Sequence, residues 1–155
     1  MPLKKSDIAS QIEKEHECIK RDMVDIKMDV MKEVSPKNFP DWRLEFIWRL
    51  RDFKTHLLKH FDLEEEGGFM NEILSEAPEA MNQVKKLEAE HGQIVSDLDR
   101  ILSDLKEMQE KDISKLDGIR NCVIQLISTI RAHETAEDNL IQTVYYQEYG
   151  YPASS

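Results

Sequence analysis

The chain has 155 residues, 34% of them charged, and its Asp and Glu outnumber Lys and Arg by 31 to 21, giving a net charge of -10. That length suits a single domain over 1–155 with a buried core. The acidic balance argues against nucleic acid or an anionic membrane as partner, since both need a basic surface. The opening MPLKKSDIASQ lacks the apolar stretch of a secretory signal, and no apolar run approaches the roughly 20 residues that span a bilayer. Cys18 and Cys122 stand far apart with no CxxC spacing, so a reduced, cytoplasmic setting is expected.

The first element is expected over about 6–33, where Ile8, Ile12, Ile19, Met23, Ile26 and Val30 recur by threes and fours. One seam position in that stripe, between Ile12 and Ile19, is His16. Ser35-Pro36 to Pro40 breaks the chain. The second helix, about 41–66, carries Phe46, Leu50, Phe53 and Leu57, and its seam continues into His60 and Glu64. Gly67-Gly68 to Pro78 forms the next break. The third helix, about 79–110, holds Val84, Leu87, Ile94, Leu98, Ile101, Leu105 and Met108, with His91 in its gap. After a break at Lys111 to Ser114, the fourth, about 114–146, runs Leu116, Ile119, Val123, Leu126, Ile130, Leu140 and Val144. Its seam is interrupted by His133 and Glu137. Four amphipathic helices joined by short loops predict an all-α, up-down-up-down four-helix bundle.

The halves repeat one another. Ile12-Glu-Lys-Glu-His16-Glu-Cys-Ile19 aligns with Leu87-Glu-Ala-Glu-His91-Gly-Gln-Ile94, and each half then supplies an HxxxE. His16 lies 44 residues before His60 (60 − 16), and His91 lies 42 before His133 (133 − 91). A duplicated helical hairpin thus carries one lone His and one His-Glu pair per copy. On a helix, residues four apart share a face, so His60 with Glu64 and His133 with Glu137 point together into the core.

Six ionisable side chains on apolar seams are costly unless something satisfies them, because each loses water on burial. Metal ions are the economical partner, and imidazole nitrogen with carboxylate oxygen suits iron, manganese or zinc. Four histidines and two glutamates give two ions two nitrogens each, with each Glu able to bridge. A single tetrahedral zinc would leave two of the six unused. The expected metal ligands are therefore His16, His60, Glu64, His91, His133 and Glu137.

The order H…HxxxE…H…HxxxE, with Glu-His before an apolar residue in helices one and three, resembles the hemerythrin-like HHE cation-binding family over about residues 8–146. That resemblance implies a non-haem centre of two iron ions in the bundle, open to dioxygen or nitric oxide. Oxygen-carrying hemerythrins have a further histidine one turn before the third-helix His; here the position is Leu87. Their last motif puts its carboxylate five residues after the His, where this chain has Asp138. The match of Glu137 to Glu64 favours Glu137, leaving Glu65 and Asp138 as supporting or substitute groups. The set of two histidines per iron is closest to the hemerythrin-like domain of repair of iron centres proteins. Those carry a short cysteine-containing segment ahead of the bundle, whereas here the first helix is expected almost from Met1.

Other residues read more plainly. His56, one turn before His60, falls beside the seam and is expected at the rim. Glu13 and Glu88 are expected on solvated faces. Trp42, Trp48 and the tail tyrosines from Tyr145 to Tyr151 are expected to pack the core and cover the bundle ends, and Met23, Met28 and Met31 to fill core and rim. Three functions fit: a module that binds or senses dioxygen or nitric oxide, with any protein partner acting in trans; an enzyme for peroxide, nitric oxide or iron-centre repair; and an interaction bundle with structural metal.

Overall fold

The computed structural model describes residues 6–145. It contains four long helices, α1 (Asp7–Val30), α2 (Phe39–Glu65), α4 (Met81–Glu107) and α5 (Leu116–Tyr145), and a short α3 (Phe69–Glu76) between the second and third. Short stretches of 3-10 helix, Pro78–Ala80 and Glu110–Lys115, lead into α4 and α5. The long helices pack in a ring: α1 on α2, α2 on α4, α4 on α5, and α5 back on α1. This is the all-α four-helix bundle that the periodicity predicts.

The helix ends follow from local chemistry. Ser6 caps α1 by accepting from the Ala9 amide at 3.1 Å, and Asp7 places negative charge in the first turn. Pro40 sits in the first turn of α2, where its missing N–H costs nothing. The orphan carbonyls at the far ends are met by arginines. Arg120 donates to the carbonyls of Val30 at 2.7 Å and Lys32 at 2.6 Å. Arg43 donates to those of Leu105 and Lys106.

Helix α3 lies where only a break was expected. Gly68 takes a left-handed φ of 97°, which turns the chain, and a Cβ on Gly67 would overlap the Leu63 carbonyl oxygen. Beyond this turn Phe69, Met70 and Ile73 bury one face. Glu72, on α3, then ties three elements together: it accepts from the hydroxyl of Ser6 and from that of Tyr145, each at 2.5 Å.

Two apolar clusters fill the bundle. One holds Ile19, Met23, Phe46, Leu57, Phe61, Ile94, Leu98 and Ile130 among others; the second holds Ile12, Phe69, Ile73, Leu87, Leu140 and Val144. Every long helix contributes a polar step where the two clusters meet. In α1 that step is His16, between Ile12 and Ile19; in α4 it is His91, between Leu87 and Ile94. In α2 it is His60 and Glu64, and in α5 His133 and Glu137. The bundle therefore carries one polar layer between two apolar ones.

Some expectations need correction. Trp42 is buried and stacks on Phe46 at 5.2 Å, but Trp48 is 64% exposed on the outer face of α2. Met23 is buried, whereas Met28 and Met31 face solvent. Of the tail tyrosines Tyr145 is buried at the bundle end, and Tyr146, Tyr149 and Tyr151 lie outside the described residues.

Candidate metal centre

All six residues of the polar layer are buried: His16, His60, His91 and His133 are at most 4% exposed, and Glu64 and Glu137 are fully covered. Their ligand atoms form two overlapping groups, His16, His60, Glu64 and Glu137, and Glu64, His91, His133 and Glu137. Within each group the atoms lie within 4.8 Å of one another, close enough for a small adjustment to bring them round one ion at about 2.0–2.2 Å. Both glutamates belong to both groups.

The geometry repeats across the two halves. Nε2 of His60 lies 3.5 Å from Glu64 and Nε2 of His133 lies 3.4 Å from Glu137. His91 Nε2 approaches Glu64 at 3.0 Å, and His16 Nε2 approaches Glu137 at 3.1 Å. The ring pairs match as well: His16 and His60 stand 5.1 Å apart at 65°, His91 and His133 4.9 Å apart at 66°. The duplication visible in the sequence is thus carried into the side chains.

A second set of carboxylates fixes the imidazoles. Nδ1 of His60 binds Glu15 at 2.8 Å, Nδ1 of His91 binds Glu65 at 3.2 Å, Nδ1 of His133 binds Glu90 at 2.8 Å, and Nδ1 of His16 binds Asp138 at 2.8 Å. Each histidine is clasped by the next helix round the ring. A carboxylate accepts the proton on Nδ1, which orients the ring and turns Nε2 toward the centre. Glu65 and Asp138 are two of the residues that the sequence marks as supporting or substitute groups. Glu15 and Glu90 are not among them, although the repeated Glu-His pair in helices one and three holds the signal. Glu88 is exposed and Glu13 half-buried, and neither joins the two groups.

The fit to a cation rests on atoms that the protein leaves without partners. Nε2 of His60, His91 and His133, both oxygens of Glu64 and Oε2 of Glu137 are buried with no hydrogen bond. His91 Nε2 is near Glu64 in distance but lacks hydrogen-bond geometry. Orphaned buried groups of this kind are rare and costly in folded proteins, and an inward ring of nitrogen and oxygen lone pairs is what a cation satisfies.

Without a cation the layer retains protons. Burial works against charge on His16, but its hydrogen bonds to Asp138 and Glu137 outweigh this and raise it to about 10. His91 is likewise raised to about 10 by Glu137 and Glu64 against the cost of burial. Burial and the neighbouring Glu137 push Glu64 up to about 8. Glu137 is also buried, yet the protonated neighbour Glu64 and the imidazoles of His133, His16 and His60 hold it well below the usual carboxylate range. Two carboxylates share one site, and the proton goes to Glu64.

Two residues complete the surroundings. Glu134, which follows His133, is 2% exposed, and neither of its oxygens has a partner; burial pushes it up to about 7, and its charge acts on His16 and His60. It stands four residues from the buried Ile130, three from Glu137 and seven from Ile127, so seam spacing marks it too. His56 is half-buried and bonds Asp22 at 2.9 Å. It lines a cleft of about 590 Å³ between α1 and α2 with Trp42 and Arg49, a cleft that takes in none of the six central residues.

A helical bundle closed around buried histidines and glutamates defines a metal-binding protein of the hemerythrin type. The sequence model of the family described as Hemerythrin HHE cation binding domain matches residues 43–145, and the chain belongs to that family. The matched span includes α2, α4 and α5 but not α1, so His16 is tied to the centre by its geometry alone. No curated protein and no solved structure matches the chain. Among the described residues no helix is long and apolar enough to cross a membrane.

Proposed function

We propose that this chain is a non-haem di-iron protein that binds or senses a small diatomic ligand, dioxygen or nitric oxide. The observation that carries the reading is the pair of ligand groups sharing Glu64 and Glu137. His16 and His60 would hold one ion, His91 and His133 the other, with the two glutamates spanning both. Bound iron would supply open coordination positions and one-electron chemistry. Manganese or zinc would suit the same donors, but zinc has no redox chemistry.

The protein's own part is to hold, orient and exclude. The four Nδ1 clasps fix the ring orientation and leave each Nε2 aimed at the centre for a metal ion. The apolar layers above and below limit water around the centre, with Leu87 3% exposed one turn before His91. An imidazole at that position would fill coordination space; a leucine leaves it free. Two nitrogens per ion therefore favour a responsive centre over stable oxygen storage. The same feature supports a second reading, enzyme-like handling of peroxide or nitric oxide or repair of iron centres. A third, a regulatory interaction bundle with structural metal, would be favoured by zinc-only loading. The free cysteines Cys18 and Cys122 fit a reducing cytoplasm, where a sensor's protein partner would bind in trans.

The test is metal analysis of protein purified anaerobically, followed by titration with dioxygen and nitric oxide. Two irons per chain and a spectral response to either gas support the first reading. Rapid turnover of peroxide or nitric oxide supports the second, and a full complement of zinc without response rejects both.

A further inference from the structure

The two-fold relation of the centre breaks at one pair of positions. Phe61 follows His60 and Glu134 follows His133, so the two residues are equivalents in the duplicated hairpin. The Phe61 ring stacks on His91 at 4.0 Å and 13° and meets His133 edge-on at 5.9 Å. Phe61 stands one turn before Glu65, which clasps His91; Glu134 stands one turn before Asp138, which clasps His16. The equivalence puts the Glu134 carboxylate at the α1–α5 seam, on the His16 side, where the other half has a phenyl ring.

No hydrogen bond in the protein meets that carboxylate, although the charges of His16, His60 and Lys20 act on it from a distance. It is 2% exposed, and both its oxygens lack a hydrogen bond. Lys20, one turn beyond His16, pairs with Glu17 at 3.6 Å. The clasping residues Glu15, Glu65, Glu90 and Asp138 are partly exposed and already engaged on imidazoles. Two divalent ions would bring four positive charges, of which Glu64 and Glu137 return two while the clasped imidazoles stay neutral. A centre left positive stabilises a further buried carboxylate beside it.

We propose that Glu134 is a third carboxylate of the metal centre, serving the ion held by His16 and His60, so that the two ions are inequivalent. The oxygens lie outside the two groups of ligand atoms, so binding the ion would require a side-chain rotation of Glu134. The open position then falls to the ion held by His91 and His133, beside Phe61 and Leu87. This inference rests on the dinuclear reading above.

The test is an anaerobic calorimetric titration of the metal-free protein with Co(II), a redox-quiet probe, on the wild type, Glu134→Gln and Glu134→Leu. Thermal melts with and without Co(II) accompany it. The wild type should take up two ions with unequal affinities. In both variants one of them should weaken by about tenfold or more, the scale on which groups supporting a metal site act, and the other should stay within about threefold. The metal-free variants should melt no lower than the metal-free wild type, because the Glu134 carboxyl has no hydrogen bond to lose. Two ions bound as in the wild type, with any change in Tm equal with and without Co(II), would overturn this inference alone. A wild type that binds one ion or none would overturn the dinuclear reading and this inference with it.

Discussion

His60 and His56 stand one turn apart on α2, yet the structure gives them different surroundings. His60 is 1% exposed, clasped by Glu15, and its Nε2 faces Glu64. His56 reaches outward to Asp22. Replacing His60 by Ala should therefore drop bound metal from two ions per chain toward one or none. Replacing His56 by Ala should leave metal content unchanged. Elemental analysis of both variants decides this, and equal losses would show that the HxxxH spacing binds after all. Leu87→His gives a second residue-scale expectation. It inserts a polar ring among Ile12, Val84 and Leu140, so the metal-free variant should lose about 1–3 kcal/mol of stability in urea unfolding. Bound metal should restore much of that, and the reduced variant should persist longer in air than the reduced wild type.

The seam histidines and glutamates could be read from the sequence because each replaces an apolar residue at a fixed step of three or four. Glu15 and Glu90 were harder. They lie one residue off the seam, where side chains usually meet water, and only the packing of the neighbouring helix turns them inward. Glu134 was obscured differently: it sits on the seam beside His133, and a polar residue next to an expected ligand is easily taken for a solvated neighbour.

At the scale of elements, the four long helices follow from periodicity, and their bounds shift by a few residues where caps and arginines set the ends. Helix α3 escaped notice because glycines and a proline flank eight residues, a length at which punctuation outweighs periodicity. The turn before it yields a contrast among glycines. Gly68→Ala should cost about 1–2 kcal/mol, because its φ of 97° is unfavourable for any residue with a Cβ. Gly92→Ala and Gly118→Ala lie within α4 and α5 with nothing near the added Cβ, and each should gain roughly 0.5–1 kcal/mol. Urea unfolding of the three metal-free variants checks both signs. A neutral Gly68→Ala would mean that the turn relaxes without cost.

For the molecule as a whole, protons and a bound metal would compete for one polar layer. In the metal-free protein Glu64 is raised to about 8 from 4.5, and His16 and His91 to about 10 from 6.5. The native state then holds protons that the unfolded chain has released. Their stabilisation is complete below the unfolded values and is lost as pH rises through about 8 for Glu64 and about 10 for the histidines. Glu137 is shifted downward, so its contribution is lost only in acid. The Tm of the metal-free protein should thus fall between pH 7 and 10. In the loaded protein the same atoms would hold metal instead of protons, and its Tm should stay level or rise over that range. Parallel pH profiles for the two forms would contradict this competition.

We propose that one polar layer, built from two copies of a hairpin, holds two ions through Glu64 and Glu137. The most direct test is elemental analysis of the anaerobically reconstituted protein after removal of loosely bound metal, with the chain counted by absorbance. The account predicts two ions per chain for the wild type, most of the metal lost from a Glu64→Ala, Glu137→Ala double variant, and iron as the ion taken up from cells. One ion per chain under full metal supply, or two that survive the loss of both glutamates, would contradict it.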